Sequence, residues 1–488
     1  MLDDTIAAIA TPIGEGGLAV IRISGTQALA VADKIFSPIG KHSLKPSSAA
    51  SHTIQFGHVV REGKTIDEVL VAVMRAPRTF TREDIVEITC HGGILPAKLV
   101  LDAALANGAR MAEPGEFTRR AFLNGRIDLA QAEAVADLIH SRTELALSAA
   151  NEQLAGKLSQ RINQLRDDLL KTLAHVEAYI DFPEEDIAEE TKGQLLGRLG
   201  RGVAFMDELL RTANEGQILR RGIRAAIIGR PNAGKSSLLN QLLGHDRAIV
   251  SPIPGTTRDT IEETANIRGL PVVFIDTAGL REARDEIEVE GIRRSRESLQ
   301  QAEFILHVFD ASEPMTEADE KFLTEFAGKK RILVRNKVDL PAKLELPASV
   351  AQTFLSAGSG DFSVASSNTG LESPVNPQAG KPAPQIIDIC CITGKGVEAL
   401  KDAIKNLAWS GEIKTEMLQV MINSRHREAL SRARVATVRT IDALRTGATL
   451  ELAAMDLRIA VNAVGEIVGK TATEDLLDMI FSQFCIGK

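Results

Sequence analysis

The run GRPNAGKS at residues 229–236 constrains this chain more than any other segment. It fits G-x-x-x-x-G-K-[ST], follows the apolar residues 225–228 and precedes the SLLN run at 237–240. That is the strand–loop–helix setting the motif requires. Glycines let the backbone curl until its N–H groups and the helix N-terminus point at anionic oxygens. A nucleotide phosphate is therefore the expected ligand. Asn232, Ala233, Gly234, Lys235, Ser236 and Ser237 make up the loop and the start of its helix. Lys235 suits the β- and γ-phosphates, and the Ser236 hydroxyl suits Mg²⁺.

Three further motifs follow in order. The apolar run 272–275 reads as a buried strand that delivers Asp276, Thr277, Ala278 and Gly279. Asp276 is expected to hold Mg²⁺ through water, and the Gly279 N–H to meet the γ-phosphate. Upstream, Ser251, Pro252, Ile253 and Pro254 lead into Gly255, Thr256 and Thr257, where a switch loop belongs. Thr257 is expected to be the second hydroxyl for Mg²⁺, ordered only while the γ-phosphate is present. Asn336, Lys337 and Asp339 form N-K-x-D after the apolar run 331–334. The Asp339 carboxylate can accept from N1–H and N2–H₂ of guanine, whereas adenine offers neither donor there. A polar group left unpaired is costly, so the site discriminates strongly. The expected nucleotide is GTP.

Two catalytic elements are missing. Leu280 follows Gly279 where a water-orienting glutamine would stand, and no arginine finger is evident. Such a finger is worth about 10³–10⁵ in rate, or ~4–7 kcal/mol of barrier. Arg258 and Arg281 are candidates by position, and solvated switch residues are the alternative for each.

At 488 residues the chain should hold about three domains. Its net charge of −8 argues against broad nucleic-acid binding, so any RNA contact should be a local patch. Cys90, Cys390, Cys391 and Cys485 form no CxxC pair and suggest a reducing compartment. The amino terminus lacks a secretory pattern and no apolar run reaches a membrane span, so a cytoplasmic protein is expected.

Residues 1–120 look α+β, with strand-like runs at 18–23 and 69–73 and helix patterns at 27–36 and 95–106. Between Gly115 and Pro183 there is no proline, and Ile162, Leu165, Leu169, Leu173, Val176 and Ile180 recur at helical spacing. Residues 121–216 and 409–488 read as two parts of one helical domain, with a P-loop (Ras-like) GTPase domain inserted at 217–408. Residues 341–384, rich in Ser, Gly, Pro and Ala, read as a flexible loop. Cys390 and Cys391 stand where GTPases commonly carry Ser-Ala.

The motif order resembles the MnmE (TrmE) family of tRNA-modification GTPases. Further landmarks are ATP at 10–12, IRISG at 21–25, FTRED at 80–84, HGG at 91–93, PGEF at 114–117, RAFLN at 120–124, IDFP at 180–183 and the ending CIGK at 485–488. The resemblance implies potassium-dependent hydrolysis by G domains that face each other across a homodimer. A K⁺ ion would replace the arginine finger, held by the Asn232 side chain and the carbonyls of Ser251, Ile253 and Thr256. Glu288 would position water. The N-terminal domain resembles a folate-binding fold that dimerises and holds 5-formyl- or 5,10-methylene-tetrahydrofolate, with Arg22, Glu87, Arg126 and Lys488 as matching residues. Cys485 matches a residue with a chemical role. A flavoprotein resembling MnmG, carrying FAD, would join it in a heterotetramer or larger complex. Together they would add a carboxymethylaminomethyl or aminomethyl group to C5 of the wobble uridine of certain tRNAs. Arg425, Arg427, Arg432, Arg434 and Arg439 lie on one expected helix and either receive tRNA phosphates or form a solvated face. The rival reading is a regulatory or ribosome-assembly GTPase, an RNA-binding switch that would share the central motifs alone.

Overall fold

In the computed structural model, residues 4–181, 189–244, 262–275, 300–347, 385–409, 418 and 420–488 are described. They fall into two compact units, one of Met1–His140, Ala149–Ala213 and Glu416–Lys488, the other of Ser141–Ser148 and Asn214–Thr415.

The first unit opens with β1 (Ile6–Ile9), β2 (Leu18–Ser24), α1 (Ala28–Ile35), β3 (Phe36–Pro38), β4 (Thr53–Arg61), β5 (Lys64–Met74), β6 (Ile85–His91), α2 (Ile94–Ala106) and β7 (Arg110–Met111). The strands form a sheet ordered β3-β4-β5-β6-β2-β1-β7, antiparallel except for the β1–β7 pair. Alternation along the strands separates two faces. Ile21, Ile23, Val71 and Ile88 point into a core shared with α1 and α2. On the opposite face, Ile54 and Phe56 of β4 and Leu70 of β5 are exposed, while Ile6 and Ala8 of β1 are covered by Phe117.

Helices follow: α3 (Glu116–Leu123), α4 (Leu129–His140), α5 (Glu144–Leu154), α6 (Lys157–Asp181) and α7 (Glu189–Arg211). The stripe on α6 buries Ile162, Leu165, Leu169, Leu173 and Val176, as its spacing predicts. Their partners come from much later in the chain, in helices at Ser424–Thr446 and Leu450–Val468. Ala433, Leu457 and Val464 share one continuous core with them. Neither stretch can bury its apolar stripe alone.

The second unit runs through α8 (Ala213–Arg221), β8 (Ile223–Ile228), α9 (Lys235–Leu243), β9 (Glu263–Ile267), β10 (Leu270–Phe274), β11 (Phe304–Asp310), α10 (Glu317–Glu325), β12 (Lys330–Asn336), β13 (Gln385–Asp388) and α11 (Val397–Ala408). The sheet order is β13-β12-β11-β8-β10-β9, parallel apart from β9, which runs antiparallel to β10. All residues of β11 are buried, as expected for a parallel strand covered on both faces. Of the expected flexible loop, residues 341–347 are described and residues 348–384 lie outside the described residues. The chain then returns to the first unit as α12 (Ser424–Thr446), α13 (Leu450–Val468) and α14 (Glu474–Phe481).

Inside β11, His307 is fully buried, and neither ring nitrogen has a hydrogen-bond partner among the described residues. Its ring packs 4.1 Å from Phe309 and edge-on to Phe322. Burial, helped by the nearby Arg331 charge, pulls the imidazole from 6.5 down to about 3. The unfolded chain takes up this proton near its ordinary value and the folded chain does not. The stability that neutral His307 supplies is therefore complete above about pH 6.5 and fades as the pH falls towards 3. His307→Phe should remove up to about 2 kcal/mol of the difference in stability between pH 7 and pH 5. Hydrogen exchange of the β11 amides at the two pH values measures it; an unchanged difference would refute the assignment.

Candidate functional site

The phosphate loop joins β8 to α9 at the carboxyl end of the parallel strands, where open α/β sheets place their ligands. Three positive-φ residues shape it: Gly229 (146°), Asn232 (62°) and Gly234 (95°). A Cβ at 229 would lie 2.2 Å from the Val308 carbonyl oxygen, and one at 234 would lie 2.1 Å from Asn336 Nδ2. Both positions therefore require glycine for space as well as for dihedral angle. Asparagine tolerates the left-handed conformation, and Asn232 is exposed at the turn.

Asn336, buried at the end of β12, ties three loops together. Its Nδ2 donates to the Ala233 carbonyl at 3.0 Å, and its Oδ1 accepts from the Cys391 N–H at 3.2 Å. From α9, Gln241 Nε2 donates to the Cys391 carbonyl at 2.7 Å. Lys337 adopts φ 64° and sets its Nζ 2.6 Å from Asp310 Oδ2 at the end of β11. Ser312 donates to the other oxygen of Asp310 through its N–H (3.0 Å) and hydroxyl (2.6 Å). Burial pushes the Asp310 carboxyl up, but the hydrogen bonds from Lys337 and Ser312 outweigh it and hold the carboxyl below the usual range. Asp339 is exposed.

Lys235 Nζ donates to the carbonyls of Gly229 (2.9 Å) and Arg230 (2.7 Å). These two bonds leave the third N–H of the ammonium for a phosphate oxygen. Burial lowers the Lys235 ammonium below its ordinary value. Ser236 and Ser237 follow Lys235 in the first turn of α9, both exposed. Cys390 and Cys391 are buried, and burial followed by the neighbouring Cys390 pushes the Cys391 thiol up to about 11. They act here as packed side chains behind a loop whose amides are used. Ser251, Pro252, Ile253, Pro254, Gly255, Thr256, Thr257, Arg258, Asp276, Thr277, Ala278, Gly279, Leu280, Arg281 and Glu288 lie outside the described residues.

A second cluster forms in the first unit. Arg22 of β2 stands opposite Glu87 of β6, and its Nε lies 2.8 Å from the Glu87 carboxylate. The same guanidinium donates to the Gly487 carbonyl at 3.3 Å and lies 5.5 Å over the Phe117 ring. Arg126 lies 5.1 Å over Phe80, which packs against the Phe117 cluster. The tail is held by main-chain bonds from Gly115 N–H to the Cys485 carbonyl (3.4 Å) and from Phe117 N–H to the Lys488 carbonyl (3.2 Å). Arg22 and Arg126 thus each lie over a phenyl ring, with Glu87 paired to Arg22, the Lys488 main chain bonded to Phe117 and Cys485 exposed on the same tail.

The five arginines of α12 do not form one free cationic face. Arg425 pairs with Glu133 and donates to the carbonyls of Glu466 and Ile467. Arg432 pairs with Glu466 and Arg434 with Asp207, while Arg427 and Arg439 are exposed.

Two family models match, the GTP-binding protein TrmE N-terminus over residues 5–126 and the MnmE helical domain over residues 129–485. A tRNA modification GTPase MnmE of Geobacillus kaustophilus is 45% identical over 99% of both chains. Proteins of the same name from Geobacillus thermodenitrificans and Listeria innocua are 47% and 46% identical, again over 99% of both chains. The chain belongs to the MnmE family.

MnmE relatives match from end to end, whereas the ribosome-assembly alternative needed only the central motifs. Several residues of the two clusters escape sequence reasoning. Asp310 ends an apolar run as Asp276 does, and that was its available signal. Phe80 and Phe117 sit inside the FTRED and PGEF landmarks, which mark the family but assign the rings no role. Nothing in the sequence marks Gln241. The contact of residue 234 with Asn336 is directly testable. Gly234→Ala should push the Asn336 amide off Ala233 and Cys391 and weaken guanosine diphosphate binding at least about tenfold. Titration with a fluorescent GDP measures this, and wild-type affinity would overturn the role given to Asn336.

Proposed function

We propose that this protein is a potassium-dependent GTPase that works with a flavoprotein to modify C5 of the wobble uridine in certain tRNAs. The reading is carried by one observation. Asn336 joins the phosphate loop to the loop that carries Cys391, in a chain whose full-length relatives are named tRNA modification GTPases. GTP would seat its phosphates on the amides of residues 232–236, with Asp339 accepting from guanine and Ser236 available to Mg²⁺.

Asn232 fits a cation ligand, because it carries an amide oxygen and is exposed at a turn of the phosphate loop. A bound K⁺ would supply the positive charge that an arginine finger supplies elsewhere. Ser251, Ile253, Thr256 and Thr257 would complete the two cation sites, and Glu288 would orient water.

The Arg22–Glu87 pair fits a folate in its chemistry. A guanidinium suits carboxylates or pterin oxygens, and a carboxylate accepts from pterin amino and ring N–H groups. Phe80 and Phe117 add flat apolar surface beside both arginines. Tetrahydrofolate would supply the one-carbon unit, and Cys485 and Lys488 would stand at that site because the tail is bonded to Gly115, Phe117 and Arg22. The exposed Ile54, Phe56 and Leu70 lie on the sheet face that carries Arg22 and Glu87, which favours dimerisation through that face. Among the described residues no helix is long and apolar enough to cross a membrane, and the reading is of a cytoplasmic protein.

Turnover in K⁺ should exceed that in Na⁺ at equal ionic strength by about tenfold or more, and Asn232→Ala should abolish the difference. Equal rates in both salts would remove the K⁺ role and leave nucleotide binding intact. Cells lacking the gene should lose the wobble-uridine modification, read by nucleoside mass spectrometry. Unchanged tRNA would sink the proposal.

A further inference from the structure

Arg230 follows Gly229 in the phosphate loop, at a position where the motif accepts any residue. Its side chain turns away from the loop into the body of the unit and is only 15% exposed. There Nε lies 3.1 Å from Asp319 Oδ2, and an NH₂ group lies 3.3 Å from Glu313. Asp319 is fully buried and also accepts from the Thr316 N–H (3.1 Å) and hydroxyl (2.9 Å), closing the capping box of α10. The Arg230 carbonyl, meanwhile, accepts from the Ala233 N–H at 3.3 Å and from Lys235 Nζ at 2.7 Å.

One residue therefore holds two things at once. Its main chain anchors the turn and the lysine that meet phosphate, and its side chain anchors that main chain to α10. The anchoring loop begins at Asp310, the partner of Lys337 in the N-K-x-D motif. An arc of ion pairs and hydrogen bonds thus runs from the N-K-x-D motif through residues 310–319 to the back of the phosphate loop. Lysine could keep one of these contacts but not the forked pair.

We propose that Arg230 is a positioning residue for the nucleotide phosphates, with Asp319 and Glu313 fixing the angle at which the loop amides and Lys235 meet them. The inference rests on the GTPase reading above. Because the contact acts on bound nucleotide before and during hydrolysis alike, its loss raises KM and leaves kcat nearly unchanged.

The test uses the full-length protein, a fluorescent GDP and steady-state GTP hydrolysis. Arg230→Ala should raise the GDP Kd and the GTP KM about tenfold, with kcat within about threefold. Arg230→Lys should recover part of that loss. Arg230→Ala leaves Asp319 buried without its cation, so a second variant, Arg230→Ala with Asp319→Asn, removes that burden. It should bind GDP about as weakly as Arg230→Ala alone, since the effects of paired residues do not add. Wild-type GDP affinity in the double variant, or a fall in kcat with KM unchanged, overturns the proposal. Failure of the wild-type protein to bind GDP would instead overturn the GTPase reading.

Discussion

A loop that offers main-chain amides to anionic oxygens has to be held from behind, because side chains on its ligand side would occupy the phosphate's place. In the second unit three contacts do this. Gly229 lies so close to the Val308 carbonyl that no side chain fits between them. Asn336 grips the Ala233 carbonyl from below, and Arg230 reaches back to Asp319. The parallel sheet makes them possible, since β8, β11 and β12 end side by side and deliver Gly229, Asp310 and Asn336 to one edge. The same adjacency pairs Lys337 with Asp310, so the N-K-x-D motif and the phosphate loop share one foundation.

The first unit depends on a different constraint, the joining of stretches far apart in the chain. The apolar stripe of α6 is completed by α12 and α13, and a compact ionic knot reinforces the arrangement. Glu133 of α4 meets both Arg425 and His426, and the same arginine closes two carbonyls at the end of α13. Burial alone would push the Glu133 carboxyl up, but the charges of His426 and Arg425 hold it far below the usual range. Removing one member would leave a buried charge uncompensated, which costs more than the pair contributes when intact.

Local chemistry explains what was legible in the sequence. The phosphate loop, N-K-x-D and the stripe on α6 each depend on residues a few positions apart, so spacing alone reveals them. Arg22 illustrates the opposite case. Its partners Glu87 and Gly487 are remote in sequence, and on β2 alone it reads as an ordinary exposed strand residue. Family landmarks, not periodicity, pointed to it. The arginines of α12 show how a linear pattern misleads: a row of cations suggests an anion-binding face, yet Arg425, Arg432 and Arg434 are occupied by carboxylates from α4, α13 and α7. The Arg230–Asp319 pair was invisible for a simpler reason, because neither the motif nor the helix pattern says where an unspecified position points.

The depth of that knot has a practical consequence for work with monovalent salts. Mobile ions screen exposed charges over about 8 Å at physiological concentration and reach a buried cluster far less. Arg458–Glu177 and Arg161–Glu208, both at the surface, should weaken as electrolyte is added, equally for chloride salts of either alkali metal. Glu133 and its partners should not respond. Helical packing in this protein is therefore anchored against changes in background electrolyte, and exchanging one alkali cation for another at constant concentration isolates the identity of the ion from its quantity.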